Sequence, residues 1–446
     1  MLFEVKGGDD KMYKTLSAPL TVQLELTTAC TNKCLHCYNF WRNNNRQNSN
    51  LTPGQVKIIF QKLSNAQVFR IIITGGEPLL NKSGLFTCLK EASRFGIRVS
   101  LNSNMIPLSS DYVKDLWKLG LRNILTSLHG PNAEIHDKIV QKQGAFEKTI
   151  SNIKLAKEIG MNVSVNMVVS KQSLPYIKQT AKLVDSLGIR SFNATRAGCP
   201  GNCSNFSDSS LSLKEFRSYL RDFLKAGQEL KIKIDALSAY PLCGFGDLKI
   251  YQQLMGRKCY AGVTTFTVGS DGNVRPCSHL DLSYGNIFND DVKSIWSRMD
   301  DWRRGKFLPD TCKGCSLLPF CGAGCRMEAK MRFGDLQAMD PYSSPSDVEV
   351  CFQQFKEIRW QKPKERQNVS AFVLNKIKWR EESFGSVIMA SENSRVFLNH
   401  DGTKLLKQLH RGKTHNINDK RLNWGKLNPQ DFISELAERK VVSLIY

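Results

Sequence analysis

The stretch Cys30-Thr31-Asn32-Lys33-Cys34-Leu35-His36-Cys37 places three cysteines on one short loop, directly after a β-like run at Thr21–Glu25. Three thiolates at this spacing can hold three irons of a 4Fe–4S cluster, which normally has four Cys ligands. The fourth iron is then open to an outside ligand. A zinc site would need a fourth Cys or His nearby at the usual spacing, and only His36 inside the loop is available. The loop therefore favours an iron–sulfur cluster with one open position.

Around this loop, β-like runs alternate with amphipathic stretches from about residue 20 to residue 200. The predicted strands are Thr21–Glu25, Arg70–Thr74, Arg98–Asn102, Asn123–Ser127, Asn162–Val169 and Ser191–Thr195. The predicted helices are Thr52–Leu63, Leu85–Phe95, Asp111–Lys118, Ala145–Ile159 and Leu174–Leu187, with one more over 211–230. This α/β alternation predicts a parallel sheet with crossover helices, and six units suggest a partial (β/α)6 TIM-like barrel. Ligands of such folds bind beyond the carboxyl ends of the strands.

Length and composition set the wider limits. A chain of 446 residues predicts two or three domains, and 41% hydrophobic with 23% charged residues is a globular composition. There is no uninterrupted apolar run of membrane-spanning length, and the acidic opening does not resemble a signal peptide. We therefore expect a cytoplasmic protein without a membrane partner. The net charge of +22 attracts polyanions, and 14 Cys in the reducing cytosol favour metal ligands or buried thiols over disulfides.

Changes in pattern along the chain predict five segments. They are an N-terminal extension (1–20), the barrel (21–230), an irregular Gly- and Cys-rich domain (231–352), a charged linker (353–370) and a small α+β domain (371–446). The last segment has β-like runs at Ala371–Ile377, Gly385–Ala390 and Arg395–Leu398, an apolar-periodic stretch at Gly402–Leu409 and a helix at Pro429–Glu438. This pattern predicts a three-stranded, winged-helix-like unit.

The cysteine loop resembles that of the radical S-adenosylmethionine (SAM) superfamily, with His36 where the family has an aromatic residue. The resemblance implies that SAM binds at the open iron. It also implies that one electron from the reduced cluster cleaves SAM to methionine and a 5′-deoxyadenosyl radical, which removes hydrogen from an unactivated C–H bond. The cofactors then carry the chemistry, while the protein excludes water and positions the target.

The same resemblance implies a set of SAM contacts. In the family, the turn at Gly75-Gly76-Glu77 offers backbone groups and a carboxylate to the methionyl ammonium, and glycine is expected where the backbone approaches the ligand closely. The implied SAM-binding residues are Gly75, Gly76, Glu77, Asn102, Ser127, Asn166 and Arg196. For the last four, a capped strand end is the alternative. His129 and Val140 stand where Asp and Arg are common in the family, so Arg196 is expected to supply the missing carboxylate contact.

A second group of cysteines resembles the seven-cysteine SPASM extension of radical SAM enzymes, which carries two auxiliary clusters. The resemblance implies one complete set, Cys312, Cys315, Cys321 and Cys351, and a second set, Cys259, Cys277 and Cys325, with Cys243 as a candidate fourth ligand. With the first loop, this predicts three 4Fe–4S clusters. A zinc ribbon made from four of these cysteines is the alternative. Cys88 is predicted to be core, and Cys199 and Cys203 are not assigned.

Residues 371–446 resemble a PqqD-like recognition element, which binds the leader of a ribosomally made peptide by strand addition. A winged-helix module that binds nucleic acid is the alternative, although we expect no nucleic-acid partner. The whole layout resembles radical SAM/SPASM maturases that cross-link side chains of precursor peptides, including the cyclophane and darobactin-type group. The implied partners are a precursor peptide and an electron donor such as flavodoxin or ferredoxin.

Three other functions remain open from the sequence. A sulfatase-type maturase would have an Asp directly after the cysteine at 277, whereas this chain has Ser278. A quinohemoprotein-type maturase would act on a folded protein subunit. A DNA-binding iron–sulfur regulator needs no SAM site, so it would not need the Gly75-Gly76-Glu77 turn.

Overall fold

The computed structural model describes residues 14–43, 49–198, 210–359, 370–390 and 395–445. These residues form two compact units. The first contains the described residues of Ala18–Arg359, and the second combines the described residues up to Ser17 with those from Ser370 onward. Within the described residues, no helix is both long enough and apolar enough to cross a membrane.

One nine-stranded sheet organises the first unit. Its strands are β1 (Thr21–Glu25), β2 (Arg70–Thr74), β3 (Arg98–Asn102), β4 (Asn123–Ser127), β5 (Asn162–Val169), β6 (Ser191–Arg196), β7 (Lys233–Asp235), β8 (Thr265–Val268) and β9 (Val274–Arg275). The spatial order is β7-β6-β5-β4-β3-β2-β1-β8-β9. Strands β1 to β7 pair in parallel with their sequence neighbours, so their carboxyl ends share one edge. The predicted parallel α/β fold is confirmed.

Helices connect these strands and cover the sheet. The longer ones are α1 (Pro53–Asn65), α2 (Lys82–Arg94), α3 (Ser110–Lys118), α4 (Ala133–Val140), α5 (Ala145–Glu158), α6 (Ile177–Ser186) and α7 (Leu213–Leu230). The helix α1 begins at a capping box, in which Thr52 and Gln55 satisfy each other's backbone N–H groups. Its inner face buries Val56, Ile59 and Leu63, which is the amphipathic pattern that the sequence shows.

The cysteine-rich segment is built from short elements. They are α8 (Leu242–Phe245), α9 (Val292–Arg298), α10 (Asp300–Arg303), α11 (Asp310–Lys313), α12 (Leu318–Cys321), α13 (Arg326–Phe333) and α14 (Val348–Arg359). The segment shares its sheet with the barrel, because β8 pairs in parallel with β1 along Thr21–Leu24. The helix α14 runs into the range predicted as a linker, whose residues 360–369 lie outside the described part.

The second unit contains β10 (Ala371–Leu374), β11 (Lys378–Glu382), β12 (Gly385–Met389), β13 (Arg395–Leu398), α15 (His400–Gln408), β14 (Thr414–Asn416), α16 (Pro429–Glu438) and β15 (Val442–Ile445). Its strands form two antiparallel three-stranded sheets, β14-β10-β15 and β11-β12-β13, so the expectation of a single three-stranded unit was wrong. Phe372, Ile388, Leu405 and Ile433 lie in one buried core between sheets and helices.

Part of the predicted N-terminal extension belongs to this second unit. The backbone N–H of Ser17 donates to Glu382 Oε2 at 2.7 Å, and Lys14 Nζ lies 4.9 Å from the centre of the Phe384 ring. Glu382 also forms a buried ion pair with Arg380 at 2.7 Å. The start of the described chain therefore packs on the C-terminal unit.

Candidate active site and cluster sites

The structure brings the thiols of Cys30, Cys34 and Cys37 together beyond the carboxyl end of β1. The loop is fastened to the end of α4, because the backbone N–H groups of Lys33 and Leu35 each donate at 3.0 Å to Val140 O and Ile139 O. Burial raises the pKa of Cys34 to about 12, and the charges of Cys37 and Cys30 contribute to that increase. The three thiols therefore act on one another, as ligands of a single cluster must.

Metal binding at this loop has to displace protons. Burial also raises the pKa of Cys30 to about 11, so this thiol and Cys34 are protonated at neutral pH until a metal ion binds. Arg42 counteracts this effect: it donates a hydrogen bond to Cys37, and its charge lowers the pKa of Cys30 and Cys34. The sequence analysis missed Arg42, because no motif marks a basic residue at that spacing.

Among the described residues, no three or more His, Cys, Asp or Glu side chains are arranged to bind a single metal ion. In a cubane, by contrast, each Cys binds its own iron, so the ligands surround the cluster. Three mutually close thiols on one loop fit such a group with one iron left open.

The Gly75-Gly76-Glu77 turn lies against the cysteine loop. The backbone N–H groups of Gly76 and Glu77 each donate at 2.7 Å, to Thr27 O and Ala29 O respectively. A Cβ on Gly76 would lie 2.1 Å from Ala29 O, and one on Gly75 would lie 2.4 Å from Thr27 O. Glycine is needed here because the turn packs on the backbone of the cysteine loop, and the expected close approach of the turn to SAM stays a prediction.

Replacing Gly76 with alanine tests this packing. The new Cβ must push the turn away from Ala29, and overpacking of this kind costs about 1–3 kcal/mol. We expect urea unfolding of Gly76→Ala to show a loss of that size and the variant to take up less iron on reconstitution. Gly54→Ala is the matched control, because its Cβ would meet nothing closer than Thr52 Oγ1 at 3.9 Å. Equal stability of the two variants would contradict the packing role.

Glu77 is fully buried beside the same turn. Its Oε1 accepts hydrogen bonds from Leu79 N at 3.0 Å and Ser103 Oγ at 2.8 Å, and its Oε2 accepts one from Asn104 N at 2.8 Å. Burial raises the pKa of Glu77 to about 7, although these three donors act in the opposite direction. The carboxylate of Glu77 thus connects the residues that follow β3 to the Gly75-Gly76-Glu77 turn by hydrogen bonds. The expected contact of this carboxylate with the methionyl ammonium of SAM stays a prediction.

The other polar residues at the strand ends line the same edge of the sheet. Asn102 ends β3 and Ser127 ends β4, while Asn166 on β5 lies opposite Ser127 in the register. Asn166 Oδ1 accepts a hydrogen bond from Thr195 Oγ1 at 2.8 Å. These three residues lie where the sequence analysis expected them, and their contacts with SAM stay predictions.

Arg196 has a different role from the predicted one. Its guanidinium binds Asp340 in a bidentate pair, with Nη1–Oδ1 at 3.0 Å and Nη2–Oδ2 at 2.7 Å. Both side chains are buried, and the guanidinium also lies 4.6 Å from the centre of the Tyr342 ring. The expectation that Arg196 supplies a carboxylate contact to SAM is therefore corrected: the carboxylate that it binds is Asp340, and the pair joins β6 to the cysteine-rich segment.

The buried histidines His129 and His136 lie beside the cysteine loop, next to the half-buried His36 of the loop itself. The ring centres of His36 and His129 are 4.4 Å apart, and those of His129 and His136 are 5.6 Å apart. Burial lowers the pKa of His36 and of His136 to about 4, and that of His129 well below its usual value. These three histidines are therefore uncharged at physiological pH, and they form a neutral surface at the cysteine loop.

Cys259, Cys277 and Cys325 come together, as predicted. Burial raises the pKa of Cys277 to about 12, and the charge of Cys259 adds to this increase. Burial raises the pKa of Cys325 as well, again with a contribution from Cys259. Tyr38 links this set to the first loop, because its ring stacks on His279 with 4.2 Å between the ring centres.

Cys243 does not lie with that set. It lines a cavity with Cys312, Cys315 and Cys321, so its assignment as the candidate fourth ligand beside Cys259 is corrected. Cys351 is fully buried in α14. Cys88 lies in the core, as predicted, whereas Cys199 and Cys203 fall outside the described residues.

Comparison with known proteins agrees with this arrangement. Residues 24–184 match the Radical SAM superfamily, and residues 259–316 match SPASM, an iron–sulfur cluster-binding domain. The chain is 27% identical over 351 residues to an AdoMet-dependent heme synthase of Methanosarcina barkeri, which covers 74% of this chain and 98% of that protein. It is also 24% identical over 355 residues to a PqqA peptide cyclase of Bradyrhizobium diazoefficiens, and that alignment covers 76% of this chain and 90% of the cyclase.

Among solved structures, SuiB of Streptococcus suis bound to precursor peptide SuiA has a TM-score of 0.58 and 18% identity, over 73% of this chain and 76% of that one. This likeness shows the fold. The Radical SAM domain implies a 4Fe–4S cluster and SAM, and the SPASM domain suggests additional clusters. The chain therefore combines a radical SAM domain with a SPASM domain, and it is a radical SAM enzyme.

Proposed function

We propose that this enzyme modifies a ribosomally synthesised precursor peptide, most directly by cross-linking its side chains. The observation that carries the proposal is the group of Cys30, Cys34 and Cys37 beyond the carboxyl end of β1. A 4Fe–4S cluster held by these three cysteines would supply the electron that cleaves SAM, and the resulting radical would give access to unactivated C–H bonds. The surrounding chain binds SAM along the edge formed by Asn102, Ser127 and Asn166.

The proposal includes three 4Fe–4S clusters. One is on the first loop, one is at Cys259, Cys277 and Cys325, and one is at Cys312, Cys315, Cys321 and Cys351. An electron donor such as flavodoxin or ferredoxin completes the system. The net charge of +22 favours an acidic partner. A reducing, cytoplasmic location would keep these thiols available.

The C-terminal unit is proposed to bind the leader of the peptide. The strand β13 lies at one edge of the sheet β11-β12-β13, so one side of it has no strand partner among the described residues. An extended leader added there would gain main-chain hydrogen bonds, and neighbouring side chains would select its sequence. The half-buried Val396 and Phe397 of β13 can provide apolar contacts.

The experiment uses the full-length protein, reconstituted with iron and sulfide without oxygen, together with SAM, dithionite and a candidate precursor peptide from a short open reading frame beside its gene. Each direct bond formed between two side-chain carbons should lower the peptide mass by two hydrogen atoms, with fragmentation locating the joined residues. A core peptide without its leader should react much more slowly. Production of 5′-deoxyadenosine with no change in peptide mass would refute the peptide substrate but leave the enzyme class intact.

A role in heme synthesis is the second candidate. It is favoured by the similarity to the AdoMet-dependent heme synthase, which aligns over 98% of its own length. About a quarter of this chain lies outside that alignment, since 74% is covered. SAM-dependent formation of heme from its porphyrin precursors, followed by the absorption of the product, would support this candidate over the peptide.

A further inference from the structure

The outer side of the cysteine loop is joined to the end of α4. The backbone N–H groups of Lys33 and Leu35 donate at 3.0 Å to Val140 O and Ile139 O, which are the last two carbonyls of that helix. Carbonyls at a helix end have no partner within the helix, so the loop satisfies them. Loop and helix end therefore form one continuous surface. Because Lys33 and Leu35 flank Cys34, anything that docks on this surface comes close to a ligand of the first cluster.

Three lysines make this surface positive. Lys138 and Lys142 stand two positions before and after Val140, and the backbone of Lys33 is bonded to Val140, so the three backbones are neighbours. All three lysines are exposed, and in the described part of the chain none of them forms an ion pair. Leu35 is 49% exposed beside them. We call Lys33, Leu35, Lys138 and Lys142 the loop surface.

The acidic groups nearby do not cancel this charge. Asp137 accepts two backbone hydrogen bonds, at 2.6 and 2.8 Å, from the N-terminal end of α5, where a negative charge is stabilised by the helix dipole. Glu134 lies in the first turn of α4, at the other end of that helix. The exposed Glu147 and Lys148 of α5 are adjacent and have opposite charges. The loop surface therefore keeps an excess of positive charge.

A second exposed apolar side chain lacks such an excess. Phe333, at the end of α13, is 55% exposed, but Lys330 of the same helix pairs with Asp281 at 3.4 Å. Lys306 lines one cavity together with Lys330 and is bound to Asp301 at 2.9 Å. An isolated exposed apolar residue is ordinary on a protein surface. What distinguishes the loop surface is therefore its uncompensated charge next to the cluster loop.

We propose that the loop surface is the docking site of an acidic carrier protein that delivers single electrons to the first cluster. Carriers of this kind, such as flavodoxin, have a negative surface, and complementary charges steer two proteins together and fix their orientation. In this step the donor is oxidised by one electron and the cluster is reduced by one, and no bond forms or breaks. This inference rests on the proposed electron donor, and it is independent of the peptide.

The test compares two reductants on the full-length protein, reconstituted with iron and sulfide without oxygen. Reduced flavodoxin has to dock, whereas dithionite is a small molecule that needs no docking surface. Lys138→Glu/Lys142→Glu reverses two charges of the loop surface. Lys138→Gln/Lys142→Gln removes them without a new acid one turn from Glu134. Lys57→Glu/Lys90→Glu is the matched control, because these exposed lysines lie on α1 and α2 and the net charge changes by the same amount.

Three quantities are measured: the binding of flavodoxin by calorimetry, the rate at which it reduces the cluster, and the 5′-deoxyadenosine formed with dithionite. The charge reversal should weaken binding and slow reduction by flavodoxin about tenfold at low salt, since steering changes association rates by about 10–10³. The glutamine variant should show a smaller change, and high salt should reduce both differences by screening. The control should match the unmodified protein, and dithionite should support equal SAM cleavage in all of them.

Equal flavodoxin binding and reduction in the reversal and control variants would overturn the inference. A loss of dithionite-driven SAM cleavage in the reversal variant would also overturn it, because the two lysines would then act on the cluster site and not on the donor. Unmodified protein that cannot cleave SAM with dithionite would overturn it together with the radical chemistry. An unmodified peptide would refute only the proposed substrate, since none of these measurements contains a peptide.

Discussion

Replacement of Cys34 by alanine is expected to abolish the formation of 5′-deoxyadenosine and to remove about four irons from the reconstituted protein. The loop offers three thiols that act on one another, and a cubane with a vacant SAM position needs all three. The charges of both Cys30 and Cys37 raise the pKa of Cys34, so this thiol is the central member of the group. Iron analysis and chromatography of the SAM products measure the two effects.

The control for this variant is Cys88→Ala, which removes a thiol that is fully buried in α2. We expect it to keep its iron and its 5′-deoxyadenosine production. Normal SAM cleavage by Cys34→Ala would mean that the loop does not hold the catalytic cluster.

The second large effect is expected when Asp340 is replaced by asparagine. The substitution leaves the buried guanidinium of Arg196 without its counter-charge, and breaking a buried pair costs about 3–5 kcal/mol. Asp340 also accepts hydrogen bonds from Cys325 N at 2.8 Å and Tyr342 N at 3.0 Å. The variant should therefore unfold at lower urea concentration and lose auxiliary iron bound near Cys325.

Two comparisons make this result specific. Asp310→Asn breaks the exposed ion pair with Lys313 and should change stability by at most about 1 kcal/mol. Removing the arginine as well, in Arg196→Met/Asp340→Asn, should recover much of the loss, because no unpaired charge remains in the interior and the amide oxygen at position 340 can still accept a backbone hydrogen bond. If Asp340→Asn is as stable as Asp310→Asn, the pair does not hold β6 to the cysteine-rich segment.

The sequence was sufficient to predict the barrel part of the fold. The strands β1 to β5 occur at the predicted bounds, because short β-like runs that alternate with amphipathic stretches are typical of a parallel sheet covered by helices. The strand β8 was missed, since its polar–apolar alternation covers only four residues and its partner β1 lies more than 200 positions earlier in the chain. Long-range pairing of so short a strand leaves no local signal.

The candidate site was predicted where one loop supplies it and missed where distant segments meet. Cys30, Cys34 and Cys37 are recognisable because they are close in sequence. The bond of Arg196 to Asp340 spans 144 positions, so no local pattern in the sequence connects the arginine at this strand end with its partner. For the same reason, the position of Cys243 could not be predicted from spacing.

The most direct test of the account measures 5′-deoxyadenosine after dithionite is added to reconstituted, oxygen-free protein with SAM. We predict its release by the unmodified chain, together with Mössbauer signals of a cubane that change when SAM binds. A protein that holds only zinc at this loop, or a cubane whose spectrum ignores SAM and yields no 5′-deoxyadenosine, would contradict the central claim that three thiols leave one iron open.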